Sequence, residues 1–445
     1  MLFTNEHVII ENGFTESLKK KRRDVLNILT SALNAIDPYK VVKSRFHDNR
    51  VTLESQDLDL TSYDSIYLAG FGKASVGMAQ AVCDSVNVKK GIVITNDSTQ
   101  KIVHSSIRTI TGGHPIPDEN SVTGAKEIRQ ILKQCSSNDL AFIVISGGGS
   151  ALLCHPRIGL QDMQRLTNLL LRSGATIEEI NTVRKHVSYV KGGNLVKDLQ
   201  CQVIAFIISD VVNDPPEFIA SGPTCGDDTT FGDAVSILKG YKIWEKVPRS
   251  VRVILNEGVQ GKITETPPKD DIVFSNVYNT IVGSNKIACE HACDKARELG
   301  YAPLLLSTSL TGEARVVGCD LIQKSNELFD KKDCTICISG GETTVTIKGS
   351  GKGGRNQEMA LSVLEMIEGT ELVFASFATD GVDGMSPAAG AIADGFSVKR
   401  SLDLGIDVKR ALSENDSFTF FRGLNDAFIT GSTGTNVMDI QLILR

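Results

Sequence analysis

Residues 141–153 read AFIVISGGGSALL. Ala141–Ile145 is an unbroken apolar run, too short for a helix and without the alternation of a half-exposed strand. Such a run is a strand buried on both faces, the texture of a parallel sheet flanked by helices. It stops at Ser146, Gly147, Gly148, Gly149 and Ser150. Glycines at the carboxyl end of a strand let a ligand approach the backbone, and freed N–H groups can hold an anion. A helix starting there would add partial positive charge. A second apolar run, TICISGGETTV at 335–345, ends in the same Ser-Gly-Gly.

The surrounding sequence repeats the pattern. DSIYLAGFGKASVGMAQAV (64–82) reads as strand, glycine turn and helix, KGIVITND (90–97) as the next strand, and QVIAFIISDVVND (202–214) as a strand running into a polar loop. Before them, 14–38 reads as one amphipathic helix in which Val25, Leu26, Ile28, Leu29, Ala32, Leu33 and Ile36 follow helical spacing. Its basic run Lys19–Arg23 reads as a solvated helix face. Residues 240–275 carry Pro267-Pro268 and read as an inter-domain segment. ETTVTIKG (342–349) reads as extended, which predicts a mixed second sheet. The expected fold is two α/β domains: 1–250 with a largely parallel, Rossmann-like sheet, and 251–445 with a smaller mixed sheet. An active-site cleft is expected between them.

The chain has 445 residues and a net charge of −6, so it lacks the basic face of a nucleic-acid binder. No apolar run approaches a membrane span. The first residues carry Glu6, Glu11 and Glu16 and no long apolar core, which points to a cytoplasmic protein and leaves a mitochondrial one open. The ten scattered cysteines read as reduced thiols. Cys334 and Cys337, placed on one strand, would face opposite ways. Cys289 and Cys293 would share a helix face that excludes His291.

Chemistry concentrates in the loops. Gly70, Gly72, Lys73 and Ser75 form a turn that would set Lys73 near phosphates, although the spacing is not that of a P-loop. His114 lies in TGGHPIPDENS (111–121), a stiff loop with a presented side chain. Asp210 ends a strand, where ligands bind in open α/β sheets, and reads as a candidate for Mg²⁺ or for proton abstraction. In the second half, Lys352 and Arg355 stand among four glycines of GSGKGGRNQE (349–358), and arginine suits bidentate contact with carboxylate or phosphate. Gly341, Glu342 and Asn356 lie in the same region. Asp380 and Asp383 in ATDGVDG (378–384) suit Mg²⁺, with Asp394 a further acid, and Thr433 and Asn436 belong to a small polar loop. A rival reading exists: Gly70-x-Gly72-x-x-Ser75, with Asp97 ending the next strand, approximates a dinucleotide fingerprint and so a reductase.

Taken in order, GFGKAS, GGHPIPDENS, SGGGSALL, SDVVNDPPEFIASGPT, SGGETTVTIKGSGKGGRNQEMAL, ATDGVDG with AAGAIADG, and TGSTGTNVMDIQLIL resemble the class II glycerate kinases, whose C-terminal part is the MOFRL region. The resemblance covers about residues 15–445, with the MOFRL region at about 330–440. It implies ATP- and Mg²⁺-dependent phosphorylation of D-glycerate, generally on the 2-hydroxyl, by a monomer or homodimer. The alternative is an NAD(P)H-dependent hydroxypyruvate reductase. Lys73 matches the family's active-site lysine and Arg355 its active-site arginine. The stretch Met385-Ser386-Pro387 is less polar than the family pattern.

Overall fold

The computed structural model describes residues 2–54, 56–331 and 334–445. The chain divides into two compact units, Pro38–Val282 and a second made of Met1–Asp37 with Gly283–Arg445.

The Pro38–Val282 unit is built on a six-stranded sheet: β1 (Ile66–Phe71), β2 (Val88–Thr95), β3 (Ile107–Thr111), β4 (Leu140–Ile145), β5 (Gln202–Ile208) and β6 (Val277–Gly283). The order is β3-β2-β1-β4-β5-β6, and the four pairings from β3 to β5 are parallel. Every residue of β1 and β4 is buried, as their unbroken apolar texture requires. Strand order reverses between β1 and β4. At such a switch point the loops leaving the two strands diverge and open a crevice at their carboxyl ends. The GFGKAS and SGGGS turns are these two loops.

The other unit carries β7 (Pro303–Leu310), β8 (Ile336–Gly341), β9 (Val373–Ala378), β10 (Gly390–Asp394) and β11 (Asp439–Leu444), in the order β7-β8-β11-β9-β10. Only β7 and β8 pair in parallel; the other three pairings are antiparallel. The sheet is therefore mixed, but not because of residues 342–349. These make only an isolated bridge, Thr344 to Glu313, and the antiparallel members are β9, β10 and β11.

The predicted N-terminal helix forms over Glu16–Asn34, capped by the Thr15 hydroxyl, which accepts from the Leu18 N–H. Its basic run is not uniformly solvated. Arg22 is fully buried: its Nε donates to Asp394 Oδ2 at 2.6 Å, and its terminal nitrogens reach Asp426 at 2.8 and 3.2 Å. Asp394 is thus spent on this pair and is not a loop acid for a metal. The pairing joins the chain's first residues to the second sheet, so 1–37 does not belong with the parallel sheet that follows it in sequence. The segment expected to link domains is also folded into its unit. Arg249–Val259 is a helix whose Val251 and Leu255, four apart, are completely buried. Gly258 lies against Phe231 so closely that a Cβ would meet the ring at 2.1 Å.

Cys289 and Cys293 are buried on the Asn285–Glu298 helix, with His291 exposed, as their spacing predicts. Cys334 and Cys337 depart from expectation. Their sulfurs are 3.8 Å apart, because Cys334 precedes β8 and escapes its alternation. Among the described residues no helix is long and apolar enough to cross a membrane.

Candidate active site

At the switch point of the parallel sheet the two turns are locked together. The Lys73 N–H donates to the Gly147 carbonyl (2.9 Å), the Ser146 N–H to the Phe71 carbonyl (3.2 Å), and the Ala74 N–H to the Ser146 hydroxyl (3.0 Å). Gly72, at φ +126°, comes so close to Ser146 that a Cβ would sit 2.2 Å from its Oγ. Ser75 is buried and donates to the Gly72 carbonyl at 2.7 Å. Ser75 and Ser146 therefore shape the turns instead of facing a ligand. This differs from the expectation for both, because each hydroxyl is consumed by the backbone it folds.

What the turns present is different. The Lys73 ammonium has no hydrogen-bond or ion-pair partner among the described residues, and the side chain is half-buried. His114 lies beside it: a Cβ on Gly148 would meet the His114 ring at 2.9 Å and Lys73 Cγ at 3.4 Å. Partial desolvation, and then the Lys73 charge, hold the His114 pKa below its ordinary value. Asp210 closes the other side of the turn, its Oδ2 lying 2.4 Å from where a Gly147 Cβ would stand. The loop after β5 is strained, with Asn213, Asp214, Ala220 and Ser221 all at positive φ. Non-glycine residues persist there only where the surrounding structure holds them, and such strain gathers at functional sites.

In the other unit the convergence follows from strand register. Asp439 opens β11 opposite Gly341 at the end of β8 and Ala378 at the end of β9. The second Ser-Gly-Gly turn, the 379–384 loop and the 431–438 loop therefore meet at one end of the sheet. Arg355 is held there by both flanking acids. Its Nε and one terminal nitrogen bond Asp439 at 2.5 and 3.0 Å, and the other terminal nitrogen reaches Glu342 at 2.7 Å. Burial pushes the Asp439 pKa up to about 6 despite the Arg355 contact. Burial opposes the Arg355 charge, yet Asp439 and Glu342 keep its pKa above the ordinary value. Arg355 opens on a cavity of about 430 Å³ lined by Glu342, Thr343, Val345, Ile347 and Met385.

Several predicted ligand groups turn out to build this end of the sheet. Asp383 is buried and all its acceptor capacity is spent: Oδ1 accepts from the N–H and side chain of Asn356, and Oδ2 from the N–H and side chain of Gln357. It caps the Arg355–Ser362 helix and is not available as a metal ligand. Asn356 is buried with it. Thr433 donates to the Thr379 carbonyl at 2.5 Å, and Asn436 Oδ1 accepts from the Met438 N–H at 3.0 Å. Gly341 (φ +144°) lies against Leu310. The glycines of 349–354 pack closely on a neighbouring segment, while Gly351, Gly353 and Gly354 also line the cavity at Arg355. Gly349, Gly351 and Gly353 admit the backbone or side chains of Glu414, Asp416 and Ser417, and Gly354 admits Asp383. Of the predicted metal pair only Asp380 remains, half-buried and accepting from the Val382 N–H at 3.1 Å. No three His, Cys, Asp or Glu side chains assemble as a metal site among the described residues.

The rival dinucleotide unit is not supported by its acid. Asp97 Oδ1 accepts from both the N–H and the hydroxyl of Thr99, at 2.8 and 2.6 Å, so it closes its own turn. Two residues that composition did not mark do stand out: Arg184 and Lys191, whose side chains converge on the Ser150 carbonyl at 3.1 and 2.8 Å. Their sequence surroundings resemble those of any surface cation.

Comparison with known proteins bears on this architecture. Residues 24–256 match a family described as a domain of unknown function, DUF4147, and residues 335–439 match the MOFRL family. Over 94% of this chain and 96% of its own length, a glycerate 2-kinase of Pyrococcus horikoshii is 42% identical. An Agrobacterium vitis protein provisionally named a hydroxypyruvate reductase is 39% identical, over 85% of this chain and 86% of its own. The crystal structure of a Thermotoga maritima glycerate kinase, 36% identical, superposes with a TM-score of 0.85 over 97% of this chain and all of that one.

Proposed function

Since the chain belongs to the glycerate 2-kinase family, we propose that it transfers the terminal phosphoryl group of ATP to the 2-hydroxyl of D-glycerate, giving 2-phosphoglycerate and ADP. The observation that carries this reading is the half-buried Lys73 side chain, whose ammonium has no hydrogen-bond or ion-pair partner among the described residues and whose backbone is held on the glycine turn at the switch point. Phosphoryl transfer needs little covalent help from a protein; it needs positioning and neutralisation of the charge spread over the transferring group. Lys73 supplies a cation with no ion-pair partner among the described residues. In the other unit Arg355 is a further cation for an anionic group, oriented by Asp439 and Glu342 so that its position is set before a ligand binds.

The glycerate hydroxyl oxygen attacks the terminal phosphorus as the bridging P–O bond to ADP breaks, and Asp210 takes the hydroxyl proton. Within the Ser146–Ser150 turn the backbone donors would come from Gly147 and Gly148, since the N–H groups of Ser146 and Gly149 are spent on the Phe71 and Ser146 carbonyls. Mg²⁺ takes few carboxylates and completes its shell with phosphate oxygens and water, which suits Asp380, the one of the predicted metal pair not spent on the protein's own backbone cap. There it would neutralise phosphate charge. The reductase reading loses support because Asp97 is engaged with Thr99.

The test is to incubate the purified protein with D-glycerate, ATP and Mg²⁺ and to identify the product by phosphorus NMR. A 2-phosphoglycerate signal is expected. A 3-phosphoglycerate signal would overturn the regiochemistry, and no product together with oxidation of reduced nicotinamide by hydroxypyruvate would overturn the kinase.

The Asp439 pKa makes the reaction pH-dependent. Above about 6 the carboxylate is charged and grips Arg355; below it, protonation breaks the charge-assisted fork and leaves Arg355 to Glu342. The pH profile of kcat/KM should show an acid limb near 6. Asp439→Asn should remove that limb and lower the plateau. A limb unchanged in the variant would assign the titration elsewhere.

A further inference from the structure

We propose that Arg184 and Lys191 form the seat for the acceptor's carboxylate beside Ser150, an inference that rests on the kinase reading above. Lys191 is 1% exposed and Arg184 half-buried, yet neither forms an ion pair among the described residues. Both donate to one neutral acceptor, the Ser150 carbonyl, and Arg184 Nε is buried with no partner. Elsewhere in the same unit the buried lysine is paired, Lys185 with Asp227 at 3.2 Å. Buried charges are paired or bind ions, and two cations on one carbonyl lack a negative charge. Burial, and then Arg184, push the Lys191 pKa well down; a bound anion would reverse that.

The pair is held rigidly. Arg184 sits on the Ile177–His186 helix. Lys191 is followed by Gly192 and Gly193, both at positive φ, whose N–H groups donate to the Ser221 and Gly222 carbonyls at 3.0 and 2.8 Å. Ser221 in turn meets the Ser150 hydroxyl at 2.9 Å and donates to Asn181 at 2.9 Å. Ser150 belongs to the turn that also presents Gly147 to Asp210 and Gly148 to Lys73. A carboxylate bound at Arg184 and Lys191 would therefore lie on the same turn as the proposed base and phosphoryl-binding cation. A 2-hydroxy acid has its hydroxyl one carbon from its carboxylate, as an acceptor held along a single turn requires.

The experiment compares D-glycerate with its uncharged amide, D-glyceramide, as acceptors for wild type, Lys191→Met, Arg184→Met and Lys191→Arg. Lys191→Met and Arg184→Met should each raise KM for D-glycerate about 10–100-fold, the value of a charge-assisted hydrogen bond. KM for ATP and turnover of glyceramide should change little, and Lys191→Arg should retain most of the preference for glycerate. A loss shared equally by both acceptors would mean a structural role and overturn the seat. So would a rise in KM for ATP alone, which would assign the pair to phosphate. Calorimetry of D-glycerate and of D-glyceramide on the wild-type protein covers variants that do not fold: glycerate binding much tighter than glyceramide supports the seat, and equal binding overturns it. Were the wild type to bind glycerate in this way without turning it over, the kinase reading would fall and the seat would stand.

Discussion

Lys73→Met should lower kcat for D-glycerate about 10²–10³-fold, the usual cost of removing one preorganised electrostatic contact in a water-poor site. The physical case is the absence of a protein partner. The Lys73 ammonium is half-buried at the carboxyl end of β1, and no carboxylate of the described residues satisfies it. Its charge is therefore available to a phosphoryl oxygen that gains negative charge as the bond to ADP breaks. The same absence predicts a small effect on stability. The backbone N–H of residue 73, which locks onto the Gly147 carbonyl, survives the substitution. The melting temperature should stay close to wild type while activity collapses. Steady-state kinetics alongside thermal melts read both, and kcat/KM within twofold of wild type would remove Lys73 from the mechanism.

Arg22→Ala should do the opposite, destabilising the protein by about 3–5 kcal/mol, because breaking a buried pair leaves uncompensated charge in the interior. Arg22 stands between two fully buried aspartates and also donates to the Ile9 carbonyl at 2.9 Å. Without it, Asp394 loses the one cation paired with it among the described residues, and Asp426 keeps Arg400, at 2.5 Å, and the Asn12 side-chain amide, at 2.9 Å. Burial alone would raise the Asp426 pKa, but Arg22 and then Arg400 hold it below the ordinary value. A depressed carboxylate pKa stabilises the fold above its unfolded value, and that contribution is lost as pH falls through the folded value. Arg22→Ala should therefore lower the urea midpoint most at neutral pH and less as the pH falls below the ordinary aspartate range. A neutral-pH midpoint equal to wild type would show the network to be energetically idle.

Arg22 and Lys73 also mark where sequence reading succeeds and where it stops. Strand by strand, the parallel sheet was legible, because full burial on both faces demands an unbroken apolar run and AFIVI and IYLAGF can do little else. The turns after β1 and β4 were legible as turns, because an apolar run that stops at glycines leaves the backbone free to reverse there. Their serines were misread. A hydroxyl that braces a turn and one that faces a ligand are the same letter, and only the approach of Gly72 to Ser146 distinguishes them. Likewise the sequence does not show that the glycines before Arg355 let residues 414–417 pack against them.

By itself the sequence determined the α/β architecture, a helix within 14–38 and the two glycine turns. These depend on periodicity and on backbone freedom, which act over a few residues. Tertiary structure alone decided that residues 1–37 belong with the second sheet, that Arg22 is a buried ion-pair partner, that Asp383 caps a helix, and that Arg184 and Lys191 share one carbonyl. The reason is common to all four. A charged residue carries no local mark of burial, and its partner is chosen by chain segments brought together from far apart in sequence, as Arg22 and Asp426 are.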